Sequence, residues 1–413
     1  MQQTLVTNIR QLINVRQQSF LPKGSQLTEL PVLENAFLYI LDGLIAAYGK
    51  MEDRGSFLKD GVQVIDAKGA SVLPCWCDSH THIVFAASRE EEFVDKIRGL
   101  GYAEIAAKGG GILNSAKKLN AMGEEELYEL ASARLFELMR HGTGAIEIKS
   151  GYGLCLEGEL KMLRVIKRLK RTSPIPVKAT FLGAHAYPPE YKNNHAGYIK
   201  LIVDEMLPAV ANEGLADYID VFCEQGFFSA AETETICTAG EKYGLKPRLH
   251  VNQLNSTGGI EAGIKLNALS LDHLEVMTEE DILMLAKSNT IATLLPSAAF
   301  FLRMPFQPAR AIIDAGCAVA LASDYNPGSS PSGNMNFVVS LACIQMKMLP
   351  EEAINAATLG GAYALELGNE LGSITVGKKS NLIFTKPIPS VAYIPYAFGT
   401  NLVDKVMIEG EWV

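Results

Sequence analysis

The sequence is poor in several features that mark particular classes of protein. Its seven cysteines are odd in number and sparse over 413 residues, which is not the pattern of a disulfide-stapled secreted domain. Lys and Arg number 37 against 46 Asp and Glu, and the net charge of −9 argues against a dedicated nucleic-acid binder or a basic membrane-surface protein. No apolar run reaches the ~18 residues of a membrane span, and the polar start is unlike a signal peptide. We therefore expect a soluble cytoplasmic protein.

What the chain does contain is enough apolar material for a large core. Hydrophobic residues make up 48% of the sequence and charged residues 20%, a balance that excludes intrinsic disorder. A chain of 413 residues is longer than one average domain, so one large barrel or two domains are the leading options.

Both ends of the chain read as short strands separated by turns. Near the start, residues 37–41 and 44–49 flank Asp42-Gly43, which is a strong hairpin signal. The other candidate strands at the two ends are residues 62–65, 373–376, 381–384 and 405–408. Chain termini often lie close together in space, so the two ends could form one small β-sandwich.

Between the ends, candidate strands alternate with amphipathic helices. Repeated strand–helix units over ~300 residues indicate a parallel sheet closed into a barrel. The strands expected from this pattern are residues 145–148, 177–182, 218–222 and 247–251, with helices at 157–170 and 231–243. The predicted fold is thus α/β, a (β/α)8 TIM-like barrel at residues 76–368, with a small β-sandwich domain built from residues 1–75 and 369–413.

Five of the seven histidines occupy positions that suggest a common site. His80 and His82 follow the apolar run at residues 70–73, and on a strand this spacing points both imidazoles to the same side. Such a pair suits a metal ion bound through neutral imidazole nitrogen, although an isolated pair is about as often incidental.

The remaining members follow other predicted strands. His185, His250 and His273 lie at or near strand ends, and Asp324 follows a strand at residues 319–323. In an α/β barrel the C-terminal ends of the strands converge on one mouth, so these side chains should meet there. Capping residues in loops are the alternative interpretation.

The histidine and aspartate pattern resembles the amidohydrolase superfamily, metal-dependent hydrolases on a (β/α)8 barrel. Four longer motifs are similar to one branch of it, whose members open the ring of 4-imidazolone-5-propanoate in histidine degradation. These motifs are residues 85–90 (FAASRE), 147–154 (EIKSGYGL), 182–190 (LGAHAYPPE) and 323–329 (SDYNPGS).

The resemblance implies a site for one zinc or iron ion, a small-molecule substrate and a homodimer. Its expected metal ligands are His80, His82, His250 and Asp324, a donor set that suits either metal. Arg89 is expected to pair with the propionate carboxylate, since a guanidinium matches a carboxylate in bidentate geometry. Without the motif, Arg89 would read as a solvated arginine at a helix start. The other expected substrate contacts are Tyr152, His185, Gln253, Asn326, Gly328 and Ser329.

The implied reaction is hydrolysis of the cyclic amide to N-formimidoyl-L-glutamate. A metal ion lowers the pKa of bound water toward ~7. Asp324 is then expected to take the proton of that water, and His273 to hydrogen-bond the water or the developing oxyanion.

Three positions need separate interpretation. Gln253 replaces the glutamate usual in the family, and because it has no titratable proton we expect it to act by hydrogen bonding. We expect Lys149 to be a structural residue or to contact the metal ligands from outside. A carbamylated lysine that bridges two metals is the alternative. Cys75 and Cys77 could bind metal, but we favour small packing residues on one strand face.

Two other functions are compatible with parts of the pattern. One is hydrolysis or deamination of a different cyclic amide or amidine. Arg89 and residues 326–329 make this function less favoured. The other is a barrel without catalysis that serves as a binding module. The intact set of His80, His82, His250 and Asp324 makes this function less favoured.

Overall fold

The computed structural model describes residues 2–100 and 110–413, whose strands form two sheets of eight strands each. The strands are β1 (Gln3–Ile13), β2 (Val32–Leu41), β3 (Leu44–Lys50), β4 (Gln63–Asp66), β5 (Ser71–Pro74), β6 (Trp76–Asp78), β7 (Thr143–Lys149), β8 (Val177–Ala184), β9 (Tyr218–Cys223), β10 (Lys246–Val251), β11 (Ser270–His273), β12 (Ile291–Leu294), β13 (Val319–Leu321), β14 (Leu382–Thr385), β15 (Val403–Ile408) and β16 (Glu411–Trp412).

The helices fall mainly between the strands of the second sheet. The α-helices of the described residues are α1 (Glu90–Ile97), α2 (Ile112–Ala121), α3 (Glu124–Arg140), α4 (Leu156–Thr172), α5 (His195–Leu201), α6 (Leu207–Glu213), α7 (Ala230–Glu241), α8 (Gly259–Lys265), α9 (Glu279–Ala286), α10 (Pro296–Leu302), α11 (Ala309–Asp314), α12 (Met335–Met346), α13 (Pro350–Asn355), α14 (Gly361–Ala364) and α15 (Tyr393–Tyr396). Five-residue π-helical turns at Ile202–Met206 and Ala356–Gly360 join α5 to α6 and α13 to α14. Within the described residues, no helix has both the length and the apolar character that crossing a membrane requires.

The first sheet is mixed and contains strands from both chain ends. Its order is β16-β15-β14-β5-β1-β2-β3, with β4 also paired to β1. The predicted hairpin is confirmed as β2 and β3, where Asp42 (φ 48°) and Gly43 (φ 78°) adopt the positive φ of a two-residue turn. The predicted strand at residues 373–376 is wrong. Only Ile374 forms an isolated bridge there, because Gly372 and Gly377, with φ of 87° and 90°, turn the chain on both sides of it.

The second sheet is the predicted parallel barrel. Strands β6 to β13 follow one another around the sheet in sequence order, each parallel to the next. The circle is completed just beyond the strand ends, where His82 N–H donates to the Tyr325 carbonyl at 2.9 Å and Asp324 N–H to the His80 carbonyl at 3.0 Å. The (β/α)8 fold class is therefore confirmed.

The chain passes from one sheet to the other between β5 and β6. Pro74 pairs with Leu382 in the mixed sheet, whereas Trp76 pairs with Thr143 in the barrel. All seven residues of β7 and all six of β9 are buried, as expected for strands covered on both faces. The division of the chain into domains at residues 75 and 368 stays a prediction.

Candidate active site

Four side chains from three barrel strands converge at one point: two follow β6, one lies in β10 and one follows β13. The Nε2 atoms of His80 and His82 lie 3.3 Å apart. His250 joins them, since the three imidazoles offer ligand atoms within 4.8 Å of one another. Asp324 Oδ1 lies 3.5 Å from His80 Nε2 and 3.6 Å from His82 Nε2. The structure thus brings together all four residues predicted to bind metal.

The local setting of the first two histidines differs from the prediction. The apolar run at residues 70–73 leads into the mixed sheet, and His80 and His82 lie in an extended segment after β6, outside the regular strands. They nevertheless share one side because this segment runs beside Asp324 and Tyr325, to which it is hydrogen-bonded.

Buried carboxylates orient two of these imidazoles. His80 Nδ1 lies 2.7 Å from Asp272 Oδ2, and His250 Nδ1 lies 2.9 Å from Asp220 Oδ2. A carboxylate on one ring nitrogen keeps the proton there and leaves the other nitrogen free as a metal ligand. Both Nε2 atoms are therefore directed at the convergence point.

Two buried cations offset the charge of these carboxylates. Lys149 Nζ lies 2.8 Å from Glu147 Oε1, 2.8 Å from Asp220 Oδ2 and 3.5 Å from Asp272 Oδ2. The Arg248 guanidinium also lies near Asp272, at 3.8 Å. Although burial lowers the pKa of Lys149, attraction to Asp220 and Glu147 outweighs it and raises that pKa. The Lys149 amine is thus engaged by Glu147 and Asp220, which agrees with the prediction of a structural role for it.

The donor set fits a metal ion. Burial is the main cause that lowers the pKa of His80, His82 and His250, so all three imidazoles are neutral, as ligation requires. Burial raises the pKa of Asp324 to about 6, and a cation at this point would stabilise its charged form. Three neutral imidazoles and one carboxylate make a site that suits zinc or iron.

His273 lies beside this centre on a strained piece of backbone. His273 and the next residue, Leu274, have φ of 87° and 67°, a left-handed conformation that costs energy in non-glycine residues. The turn brings His273 Nδ1 within 3.3 Å of Glu275 Oε1. Although burial opposes it, attraction to Glu275 raises the pKa of His273. With Nδ1 turned to Glu275, Nε2 is left for the cavity.

A cavity of about 770 Å³ opens in front of these residues. Eleven of the twelve residues predicted for the site line it, while His80 lies fully buried behind His82. Those lining residues are His82, Arg89, Tyr152, His185, His250, Gln253, His273, Asp324, Asn326, Gly328 and Ser329. Their convergence is a finding, whereas their individual roles stay predictions.

One wall of the cavity is held by a buried glutamate. His185 stacks on His82 at 5.6 Å between ring centroids, and Tyr152 packs against both rings. His185 Nδ1 lies 3.0 Å from the Gly151 carbonyl. The fully buried Glu159 accepts from the backbone N–H groups of Gly151 and Gly153, at 3.0 and 2.8 Å. The loop that carries Tyr152 is thus anchored at its backbone.

Arg89 also lines the cavity and lies just before α1. Its Nε and Nη2 both donate to Glu92 Oε2, at 2.9 and 2.5 Å. Glu92 also accepts from the Gly111 N–H at 2.9 Å, which fixes its position. A Cβ at Gly328 would lie 2.3 Å from Arg89 Nη1, so only glycine leaves room for the guanidinium. Arg89 is therefore held in the cavity wall, and its side chain is only 15% exposed.

Gln253 lies on the loop after β10. Asn252 has a φ of 53°, which turns the chain at the strand end. The buried Glu224 then accepts from the N–H groups of Leu254 and Asn255, at 2.8 and 3.2 Å. Gln253 is 9% exposed and lines the cavity, so its amide is available to a ligand there.

The loop after β13 supplies backbone and hydroxyl groups. Asn326 Oδ1 accepts from the N–H groups of Gly328 and Ser329, both at 2.8 Å. Ser329 Oγ lies 3.2 Å from Asp324 Oδ2. These contacts connect the loop directly to one of the four converging residues.

Cys75 and Cys77 are packing residues. Both are buried, neither lines the cavity, and they belong to two different apolar clusters. Cys75 lies between β5 and β6, so the two do not share a strand as expected.

Sequence reasoning missed the carboxylates behind the site. Asp220 lies in the middle of the otherwise apolar strand β9, and Asp272 and Glu275 flank His273. A charged residue inside an apolar strand is a signal that could have identified Asp220. Glu159 had no such signal, because an acidic residue in a first helical turn is common.

The chain is similar to known proteins in family, in sequence and in structure. A model of the amidohydrolase family matches residues 71–413. The chain is 60% identical to the imidazolonepropionase of Flavobacterium johnsoniae and 56% identical to that of Christiangramia forsetii, covering 99% of the chain and 99% of each relative. Among solved structures, guanine deaminase from E. coli superimposes with a TM-score of 0.75 at 14% identity, over 100% of this chain and 99% of that one.

Proposed function

This chain belongs to the amidohydrolase family, and within it to the imidazolonepropionases, and on that premise we propose how its cavity opens the ring of 4-imidazolone-5-propanoate. The protein is a hydrolase that acts on a C–N bond of a cyclic amide. Water adds to the ring carbonyl carbon, the bond from that carbon to the ring nitrogen breaks, and the nitrogen takes up a proton. The product is N-formimidoyl-L-glutamate.

The proposed roles depend on one observation, that the four converging residues and Arg89 lie at the same cavity. His80, His82, His250 and Asp324 converge at the same cavity as Arg89, so residues that would hold an electrophilic metal ion share one space with a group suited to bind a carboxylate. A ring with a propionate side chain needs these two features together.

His80, His82, His250 and Asp324 would hold one zinc or iron ion. A bound ion supplies Lewis-acid activation of water and of a carbonyl group. A single ion per chain is supported by Lys149, whose amine is engaged by Glu147 and Asp220. Among the described residues, the group of three histidines is also the only cluster with metal-ligand spacing.

Asp324 acts as the base, and His273 is a hydrogen-bond partner of the reacting atoms. Asp324 Oδ1 faces the two histidines, which leaves Oδ2, hydrogen-bonded by Ser329 Oγ, to take the proton of the attacking water. His273 presents Nε2 to the water or to the developing oxyanion. Asp324 or solvent then protonates the leaving ring nitrogen.

The substrate is oriented by the remaining cavity residues. Arg89 pairs with the propionate, and Tyr152 and His185 enclose the ring. Gln253 offers an amide donor and an acceptor to the ring. The loop of Asn326, Gly328 and Ser329 holds carbonyl or carboxylate oxygens of substrate and product.

An assay with purified, metal-loaded protein tests this proposal. Hydrolysis of 4-imidazolone-5-propanoate should far exceed that of cyclic amides and amidines without the propionate. Faster turnover of another ring would favour a related hydrolase or deaminase, and bound metal without turnover of any ring would favour a binding module. A homodimer and a cytoplasmic location stay predictions, to be tested by sedimentation and by cell fractionation.

A further inference from the structure

A second cation lies beside Arg89 in the cavity wall. Lys96, in the last turn of α1, is partly buried and lines the cavity. Its Nζ donates to the Gly328 carbonyl at 3.3 Å and lies 5.7 Å from the centre of the Phe301 ring. Gly328 is the residue against which Arg89 Nη1 also packs. Two cationic groups thus meet at one glycine.

The charges at this wall do not cancel. Glu92 occupies the Nε and Nη2 edge of Arg89, so that pair carries no net charge. Among the described residues, no carboxylate lies within ion-pair distance of Lys96 Nζ, whose one hydrogen-bond acceptor there is the neutral Gly328 carbonyl. Within the described part of the chain, this wall therefore keeps one positive charge in a partly desolvated place.

Such an arrangement is unfavourable without an anion. Burial lowers the pKa of Lys96 and the neighbouring Arg89 lowers it further, although attraction to Glu92 partly opposes both effects. A carboxylate placed at Gly328 would be within reach of both cations and would offset the remaining charge. An ammonium that is already partly stripped of water forms a stronger charge-assisted hydrogen bond than one at the open surface.

We propose that Lys96 is a second binding residue for the propionate carboxylate, which it holds together with Arg89 against the backbone of Gly328. This inference rests on the proposed function, because it takes the propionate as the carboxylate that enters the cavity. Arg89 alone would present only its Nη1 side, since Glu92 covers the other edge. Lys96 supplies the net charge that the Arg89–Glu92 pair lacks.

The test is steady-state kinetics of Lys96→Met and Lys96→Arg in the metal-loaded enzyme. Lys96→Met should raise KM for 4-imidazolone-5-propanoate by about tenfold to a hundredfold, the range for loss of a hydrogen bond to a charged group, with kcat nearly unchanged. Lys96→Arg should restore most of the affinity. With the corresponding propanamide, which has no negative charge, Lys96→Met should behave as the unaltered protein does.

Two control variants separate a direct contact from general attraction. Lys117→Gln removes an exposed charge on α2 that does not line the cavity, and KM should not change. Arg303→Gln removes an exposed charge that does line the cavity, and its effect should be well below that of Lys96→Met. Equal effects of Arg303→Gln and Lys96→Met would overturn the direct contact in favour of diffuse attraction.

The two proposals fail in distinguishable ways. Unchanged KM in Lys96→Met, while Arg89→Met raises it, would overturn the role of Lys96 and leave the proposed function intact. No hydrolysis of 4-imidazolone-5-propanoate by the metal-loaded, unaltered protein would overturn the proposed function itself. An equal rise in KM for the propanamide would show that Lys96 supports the wall without contacting the carboxylate.

Discussion

The inner and outer ends of the cavity are built from different elements. At the inner end, His80 and His250 contact carboxylates whose side chains are completely buried, and those carboxylates contact Lys149. At the outer end, Arg89 immediately precedes the short helix α1 and Lys96 lies in its last turn, and their partners are one glutamate and one backbone carbonyl. A charged network inside a barrel is costly to disturb because every lost partner leaves a buried charge. The inner end is therefore fixed by the core of the fold, whereas the outer end can be changed with little effect on the fold.

The largest expected effect comes from breaking the inner end at its ligands. We expect the unaltered protein to bind one equivalent of zinc or iron, and His80→Ala and Asp324→Ala to lose both metal and activity. Metal analysis of the purified proteins measures this, with His195→Ala, a change at an exposed histidine, as the control. Two equivalents per chain would contradict a mononuclear site and would favour Lys149 as a carbamylated bridge between two metals.

A smaller effect is expected at the outer end from Arg89→Met. Losing a hydrogen bond to a charged group costs about 1.5–3 kcal/mol, so KM for the propionate substrate should rise by about tenfold to a hundredfold. An analogue without the carboxylate should be almost unaffected. Metal content and thermal unfolding should stay unchanged if the two ends are independent. Equal losses for both substrates would instead indicate a structural role for Arg89.

An intermediate effect at the inner end is expected from the carboxylates that contact the ligand histidines. Asp272→Asn keeps the shape of the side chain but removes the charge that faces His80 Nδ1. Metal affinity should fall by about tenfold to a hundredfold, as is typical when such a partner is removed. Titration with a competing chelator measures it, and Asp404→Asn in β15 of the mixed sheet is a matched control. Unchanged affinity in Asp272→Asn would show that the buried carboxylate does not orient the ligand.

The smallest effect is expected from Gln253→Ala, between the two ends. Losing one hydrogen bond costs ~0.5–1.5 kcal/mol, which should slow turnover by about two- to tenfold. The cost rises to ~3 kcal/mol, or about a hundredfold, only where a polar partner is left buried. Asp324→Asn should be far more damaging, because it removes the charge of a ligand and the base together. If Gln253→Ala abolished activity as fully as Asp324→Asn, this division of roles would be wrong.

Some parts of the site can be predicted from the sequence and others cannot. Residues in strand-end motifs, such as His185 and Asp324, could be assigned to one mouth because parallel strands of a barrel end on the same side. The ion pair between Arg89 and Glu92 has the i,i+3 spacing of one helical turn, so a local pattern can indicate it. The hydrogen bond from the Gly111 N–H to the other oxygen of Glu92 joins residues 19 positions apart, and no local pattern indicates it.

Local features of the sequence were enough to predict the alternation of strands and helices, the hairpin at Asp42-Gly43 and the identity of the converging side chains. Those features depend on local periodicity, on turn chemistry and on motifs that are continuous in the chain. The tertiary structure decided which buried partner each side chain has. Asp220 reaches His250, 30 positions away, because β9 lies beside β10 in the barrel. Lys149 reaches Asp220, 71 positions away, across the intervening strand β8. No local pattern encodes such pairings, since the register of closed strands depends on the packing of the whole barrel.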